Sequence, residues 1–438
     1  MGGKVMKTTK FKILSLLLCG FMLLSSVACS AGNTAGSATE SGGGQKGGSE
    51  LSGKVVFADQ RDTTGAVQKS IESFQKENPG VTVDYQQLPG NSDDVKKSIM
   101  TSLAAGDSEP DVFSMDIIWV PQFASAGWLL DVTQDLEAVK DQYLEGPLSA
   151  CYLNGKAYAF PNYTDVGLLY YRSDLVSTPP KTWDELVSMS KQHIGKDGIQ
   201  YGFVYQAFQG EPIVCNSLEF IKQNGGKDLE NGKFAFNSAN TIEALKFMRS
   251  LIDQGITPEG VLSHKPDDSR AIFEDGKALF MRNWTYAYAP AQASAKVKGK
   301  VGVAALPVGP KGSDSSGTLG GWYFGVNKNS ENKEAALALA KYLAGEVGQK
   351  DRTLKASTFP TLKATYDDPE VKSALPYLSD LRSAADKAKP RPQVPDYPAS
   401  SSIMQVYLHK AMTGVMKYED AMAEMTQKLD AAYASQKK

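Results

Sequence analysis

Apolar positions near the start of the chain switch between the period of a helix and the alternation of a strand. Val67, Ile71 and Phe74 share one face of a predicted helix, and a Pro-Gly pair ends it. Residues 81–85 then alternate as a strand, and residues 54–58, which are apolar after Lys54, form a strand ahead of the helix. The pattern therefore predicts a β–α–β unit.

The same alternation of helix and strand recurs along the rest of the chain. Helices are predicted at 94–105, from 118 and at 241–252, strands at 112–115 and 301–306, and almost wholly helical sequence from 331 onward. Alternating elements of this kind pack as helices on a mainly parallel sheet. The alternation therefore predicts an α/β fold, and 438 residues suffice for one large two-lobed domain or for two ordinary ones.

The N-terminus has the order of a secretory signal. Lysines precede the apolar residues 13–24, and small residues lead up to Cys29. A transmembrane helix is the alternative, but it needs about 20 apolar residues, more than this stretch contains. We therefore predict a signal peptide over residues 1–28, with Met1 or Met6 as the start.

The residues around Cys29 predict a lipid anchor. The small residues 26–28 and Cys29 resemble the bacterial lipobox, whose cysteine is lipidated and becomes the mature N-terminus, although Ser26 holds a position that usually carries leucine. Residues 29–52 are rich in Gly, Ser, Ala and Thr, cannot bury a core, and predict a flexible tether. We expect the protein at the outer face of the cell membrane, with this lipid as its membrane attachment.

Charge and candidate catalytic residues exclude several functions. The formal net charge is −2, and no basic patch lies beyond the N-terminus, so a nucleic-acid partner is not expected. His193, His264 and His409 lie far apart and form no metal or nucleophile motif. No metal or cofactor is predicted. Cys151 and Cys215 could form a disulfide or remain two buried thiols.

Several segments, each weak alone, occur in an order that resembles one protein family. They are residues 74–83, 110–116 with Trp119, 126–131, 163–165, 169–172, 181–186, 281–284, 306–307 and 320–322. Together they resemble the extracellular solute-binding proteins of carbohydrate ABC importers, in the branch that binds maltose, trehalose and multiple sugars. The resemblance covers nearly all of residues 54–438.

The resemblance implies an α/β fold of two lobes (type II), joined by three crossings near 163–168, 284–289 and 322–327, with ligand held between the lobes. The implied organisation is a signal peptide at 1–28, a tether at 29–52, a first lobe of 53–164 plus 289–324, and a second lobe of 165–288 plus 325–438.

The resemblance also implies the residues of the cleft. Trp284, Tyr286, Trp322 and Trp119 would stack on sugar rings, although they could instead pack in the core or hinge. The polar candidates are Asp116, Tyr163, Asp165, Arg391 and Gln60, and backbone N–H groups would approach at Gly320 and Gly321. Asp116 could instead cap a helix, the glycines could serve a turn, and Arg391 could be a solvated loop charge.

The expected function is the extracytoplasmic subunit of an ABC importer, which captures a sugar or short oligosaccharide and delivers it to the permease as a monomer. Two alternatives stay open. A pair of acids could hydrolyse glycans in a secreted lipoprotein enzyme. The ligand of a binding protein could also be a polyamine, a peptide or another polar solute, because fold does not fix ligand.

We predict that a Cys29→Ser variant is released or left unprocessed, because serine lacks the thiol that would carry the lipid. Membrane fractionation with mass determination of the N-terminus checks this. A Cys19→Ser variant, changed within the apolar stretch, serves as the control and should fractionate like wild type. Processed Cys29→Ser protein in the membrane fraction would contradict lipidation.

Overall fold

A computed structural model describes residues 51–313, 315, 317–394 and 396–436. The predicted signal peptide, Cys29 and nearly all of the tether lie outside the described residues. Among the described residues, no helix combines the length and the apolar character needed to cross a membrane.

The described chain alternates strands and helices. The strands are β1 Gly53–Gln60, β2 Val81–Leu88, β3 Val112–Asp116, β4 Tyr152–Leu153, β5 Lys156–Ala157, β6 Phe160–Val166, β7 Leu168–Arg172, β8 Tyr201–Val204, β9 Leu229–Glu230, β10 Lys233–Phe234, β11 Ala278–Asn283, β12 Val301–Ala304, β13 Leu319–Val326 and β14 Phe359–Pro360. The helices are α1 Ala66–Glu77, α2 Ser92–Ala105, α3 Val120–Ser125, α4 Thr133–Glu137, α5 Glu145–Ser149, α6 Trp183–His193, α7 Glu211–Gln223, α8 Ala239–Asp253, α9 Pro266–Glu274, α10 Tyr288–Ala293, α11 Lys333–Ala344, α12 Glu346–Ala356, α13 Lys363–Asp367, α14 Pro369–Ala374, α15 Tyr377–Lys387, α16 Tyr397–Met412 and α17 Tyr418–Gln436.

The predicted β–α–β unit at the start of the chain is confirmed. Helix α1 buries Val67, Ile71 and Phe74 and ends at the C-cap Asn78, ahead of the Pro-Gly pair. Strands β1 and β2 run parallel on one side of it. The apolar face of the helix thus covers the sheet that its flanking strands form.

A six-stranded sheet forms the first lobe, in the order β14-β6-β13-β3-β1-β2. Strands β1, β2 and β3 are parallel, whereas β13 runs antiparallel to both β3 and β6. Helices α1, α2, α11 and α12 pack on this sheet or on each other. Its core includes Phe57, Phe113, Phe324 and Leu339, all nearly inaccessible to solvent.

A four-stranded sheet forms the second lobe, in the order β12-β7-β11-β8. Helices α6 and α9 pack on its strands, and the C-terminal helices α16 and α17 pack against α7 and α8. Their shared core contains Trp183, Leu218, Met248 and Met404. A third apolar cluster, with Val166, Met281 and Phe359, draws residues from strands of both sheets.

In the part of the chain that the structure describes, three segments join the two lobes. The chain passes from β6 to β7 at Gly167, from β12 to β13 across residues 305–318, and from α15 to α16 across residues 388–396. The last two lie side by side, since Lys389 N donates to Gly317 O at 2.9 Å and Leu319 N donates to Lys389 O at 2.8 Å.

Two of these crossings differ from those expected. Residues 289–304 fall in the second lobe, because β12 pairs with β7 and α10 packs on α9 and β12. Residues 333–360 fall in the first lobe, because α11 packs on β6 and β13 and β14 pairs with β6. The lobe boundaries at 289 and 325 therefore need correction, while the expected crossing at 163–168 coincides with Gly167.

The two cysteines of the described chain are free. Cys151 lies in the core of the first lobe and Cys215 lies on α7 in the second, and both are buried. Burial raises the pKa of both thiols. The structure thus has two buried thiols and not the alternative disulfide.

A buried ion pair stands where the first two crossings meet. Arg282, in β11, donates through Nε to Glu219 Oε2 at 2.7 Å, and both side chains are 2% exposed. Glu219 Oε1 also accepts from the backbone N–H of Thr318 at 3.0 Å. A side chain at Gly167 would collide with both charged groups, so glycine is required there by close approach.

We predict that Glu219→Ala lowers the free energy of unfolding by about 3–5 kcal/mol, because it leaves the Arg282 charge buried without its partner. Urea denaturation followed by tryptophan fluorescence measures this. Glu137→Ala, which breaks the exposed pair with Lys140, is the control and should change stability little. Equal losses for the two variants would show that the buried pair has no special role.

Candidate functional site

A cavity of about 270 Å³ lies between the lobes. Gln60 at the end of β1 and Asp116 at the end of β3 line it from the first lobe. Asp267 and Arg270 of α9 line it from the second lobe. The carboxyl ends of the parallel strands β1 and β3 thus face this cleft. Open α/β sheets generally bind ligands at that end of their strands.

Aromatic side chains form part of the cavity wall. Trp284, Tyr286, Trp322 and Tyr163 all line it. The Arg282 guanidinium carbon lies 4.0 Å from the centre of the Trp284 ring, which fixes the indole by a cation–π contact. Tyr286 is held by its hydroxyl, which donates to Asp267 Oδ1 at 3.1 Å.

Trp119 is not among the residues that line this cavity. It is 1% exposed and lies edge-on to Trp322, with ring centres 5.5 Å apart, and it stacks on Phe123 at 6.0 Å. The core-packing alternative therefore describes this residue, and Trp119 supports Trp322 from behind.

Asp116 both caps a turn and lines the cavity. Its Oδ1 accepts from the backbone N–H of Ile118 at 3.2 Å, as the N-cap of the 3₁₀ turn that follows β3. The same carboxylate lines the cavity, accepts from Ser92 Oγ at 3.2 Å, and pairs with Arg391 Nη2 at 2.8 Å. The capping hydrogen bond therefore orients the carboxylate, which still lines the cavity.

Arg391 is buried and connects the lobes. Besides Asp116 of the first lobe, it donates through Nη1 to Glu211 Oε1 of α7 at 3.1 Å. Glu211 is held in turn by the hydroxyls of Tyr397 and Ser401, each at 2.5 Å. The side chain of Arg391 is 3% exposed, so it is not a solvated loop charge.

Asp165 ties the first crossing to the segment after β11. Its Oδ1 accepts from the backbone N–H of Thr285 at 2.8 Å, from Thr285 Oγ1 at 2.7 Å, and from Val166 N at 3.0 Å. Burial raises the pKa of this carboxyl to about 6, against the lowering effect of the hydrogen bonds. Among the described residues all its hydrogen bonds use Oδ1, and the carboxyl also lines the cavity.

Gly320 and Gly321 lie within β13 and not in a turn. Gly320 pairs with Asp165 and Gly321 with Thr164 of β6. A Cβ at Gly320 would stand 3.2 Å from the Trp284 ring. Gly321 has φ +151°, and a Cβ there would meet Tyr163 O at 2.9 Å. Gly321 therefore needs a residue without a side chain, whereas a side chain at Gly320 would crowd the Trp284 ring.

The cavity lining includes both expected and unexpected polar residues. Gln60, which the sequence predicted, lines the cavity and donates through Nε2 to Gly90 O at 2.8 Å. Glu211, Asp267, Arg270 and Arg352 also line it but were not expected. They lie on α7, α9 and α12, where single charges have the pattern of solvated helix faces, so no sequence signal distinguishes them.

The charges that line the cavity are mixed. The acids are Asp62, Asp116, Asp165, Glu211 and Asp267, and the bases are Arg61, Arg270, Arg352 and Arg391. In the part of the chain that the structure describes, no group of histidine, cysteine or acid side chains could hold a metal ion. The cavity therefore presents hydrogen-bond donors and acceptors beside aromatic surfaces, without a field of one sign.

Known proteins resemble this chain in sequence and in fold. T. maritima MalE3, in a structure described as maltose-bound, is 38% identical and matches 86% of this chain and 98% of its own, with a TM-score of 0.82. A maltotriose-binding protein of Pyrococcus abyssi is 26% identical over 78% of this chain and 74% of its own length. The predicted fold, two α/β lobes of the type II periplasmic binding proteins, is confirmed.

Residues 58–350 match the family of bacterial extracellular solute-binding proteins. A "Probable ABC transporter-binding protein" of Deinococcus radiodurans is 34% identical over 337 residues, which are 74% of this chain and 79% of that protein. With the two-lobed fold and the cavity between the lobes, these matches show that the chain belongs to the bacterial extracellular solute-binding protein family.

Proposed function

We propose that this protein captures a neutral sugar or short oligosaccharide outside the cytoplasm and delivers it to the permease of an ABC importer. The observation that carries the proposal is the pairing, in one interlobe cavity, of aromatic rings with carboxylate and guanidinium groups. Sugars need both, because their C–H faces pack on flat apolar surfaces and their hydroxyls require fixed donors and acceptors.

A neutral ligand fits the charges of the cavity. Arg391 pairs with Asp116 and Glu211, and Arg270 pairs with Asp267 and Glu274. Because the charges that line the cavity largely balance one another, an anionic or cationic ligand would gain little net attraction. The relatives described as binding maltose and maltotriose support a short glucose-containing ligand.

Binding without turnover is part of the proposal. Retaining and inverting glycosidases need one protonated acid and one carboxylate flanking the bond to be cleaved. Here Asp116 and Glu211 both bond the Arg391 guanidinium, at 2.8 and 3.1 Å, so neither carboxyl group is free to flank a glycosidic bond. Incubation with maltose followed by chromatography should therefore return maltose and no glucose.

The remaining parts of the proposal concern the state of the protein in the cell. A lipid on Cys29 would hold a monomer at the outer face of the membrane, and the tether at 29–52 would let it reach the permease. The extracytoplasmic location agrees with the family, and the lipid is supported by the sequence around Cys29.

We predict that Trp284→Ala and Trp322→Ala each weaken maltose or maltotriose binding at least tenfold, equivalent to about 1.4 kcal/mol. Each variant removes an aromatic surface from the cavity wall. Calorimetric titration measures the affinity, and circular dichroism checks folding. Trp128→Ala, at a partly buried tryptophan outside the cavity lining, is the control. Unchanged affinity in both cavity variants would remove these rings from the site.

We predict that ligand draws the lobes together. A sugar in the cavity would contact residues of both lobes, and the lobes also contact each other directly around the cavity. Besides Asp116 and Arg391, Asp93 Oδ2 accepts from Glu211 N at 3.0 Å and Asp94 Oδ2 pairs with Lys265 Nζ at 3.1 Å. Small-angle scattering of residues 51–438 with and without saturating maltose should show a smaller radius of gyration with ligand.

The Asp94–Lys265 pair provides a matched test of closure, since neither residue is among those that line the cavity. Lys265→Glu should weaken maltose binding by up to about fivefold, the range of one surface pair. Exchanging both charges, with Asp94→Lys and Lys265→Glu together, should restore affinity. An unchanged radius of gyration in fully liganded protein would instead mean a rigid pocket.

A further inference from the structure

Arg352 lines the cavity from a helix that contains none of the ligand-binding residues expected from the sequence. It lies on α12 in the first lobe, and it lines the cavity together with Ala356 of the same helix and Thr358 just beyond it. Its side chain is 13% exposed. A mostly buried arginine with part of its surface in a ligand cleft is well placed to bind ligand.

Two neighbours fix the guanidinium. Nη2 donates to Asp59 Oδ2 at 2.8 Å, and the guanidinium carbon lies 5.4 Å from the centre of the Tyr163 ring. Asp59 is 2% exposed, and its other oxygen accepts from the backbone N–H of Gln60 at 2.7 Å. Because the partner is itself held, Arg352 loses little further freedom when it binds another group.

Most N–H groups of the Arg352 guanidinium have no hydrogen-bond acceptor within the described chain. An arginine carries five N–H donors, and within the described chain Asp59 is the one hydrogen-bonding partner of this side chain. The other mostly buried arginines of the cavity differ, because Arg391 is shared by two carboxylates and Arg270 also pairs with two. Arg352 is thus the mostly buried cavity arginine with the most unused donors.

We propose that Arg352 binds the sugar directly and that Asp59 is the residue that positions it. The spare N–H groups, in the plane of the guanidinium, donate to hydroxyl oxygens of the ligand on the side of the cavity where Tyr163 lies. This inference rests on the proposed sugar-binding function and adds a specificity determinant to it, since a planar pair of donors selects for the placement of hydroxyls.

Maltose titration of variants tests the direct contact. Arg352→Met, which keeps the length of the side chain, should weaken maltose binding at least tenfold. Arg352→Lys should recover only part of that loss, because one ammonium cannot reproduce a planar pair of donors. Arg249→Met, at an arginine that bonds Asp253 and Met412 O outside the cavity lining, is the control and should stay within twofold of wild type.

Maltose analogues that each lack one hydroxyl separate a contact from a structural role. The analogue that lacks the contacted hydroxyl should bind the wild-type protein more weakly than maltose does. The Arg352→Met variant should bind this analogue and maltose equally well. Asp59→Asn should weaken maltose binding in wild type and add nothing in the Arg352→Met background. Urea denaturation of each variant confirms that the protein tested is folded.

The outcomes are distinct. If wild type binds maltose and Arg352→Met stays within twofold, or if every analogue loses the same affinity in both proteins, Arg352 does not contact the sugar and the inference is overturned. If wild type binds neither maltose nor maltotriose, the proposed sugar function fails and this inference fails with it.

Discussion

The two-lobed arrangement depends on the buried ion pair between Glu219 and Arg282. Glu219 comes from a helix of the second lobe, and it holds both a strand residue of that lobe and the Thr318 amide, where the chain returns to the first sheet. Gly167 leaves the space that both charges occupy. Since the same guanidinium covers the ring of Trp284, one charge pair sets the position of the crossings and of an aromatic wall of the cavity.

The cavity combines side chains that neither lobe could bring together alone. Asp116 belongs to the first sheet, Glu211 to a helix of the second lobe, and Arg391 to a late crossing, yet they form one hydrogen-bonded group. Each lobe therefore supplies part of the polar surface of the cavity. A ligand bound there as we propose would contact both lobes, so its binding would favour their approach.

The sequence predicted the elements well where local pattern decides them, as in the first β–α–β unit and the apolar strand β3. The shared order of short motifs also identified Trp284, Trp322, Asp165 and Arg391, which line the cavity. Trp119 could not be separated from these, because exposure depends on the neighbouring Trp322. Strand β12 was placed in the wrong lobe because pairing partners are set by distant residues. Arg352 carried no signal, since one charge on a helix has the same pattern whether it faces water or a cleft.

Long stretches of sequence separate Arg391 from its two partners, since Asp116 and Glu211 precede it by 275 and 180 residues. Contacts between residues so distant in sequence are gained only after large loops have closed, which slows folding. The link between the lobes therefore forms only once both lobes and the late crossing are in place. A chain that has folded one lobe alone has part of the cavity wall but lacks the arginine that joins its two sides.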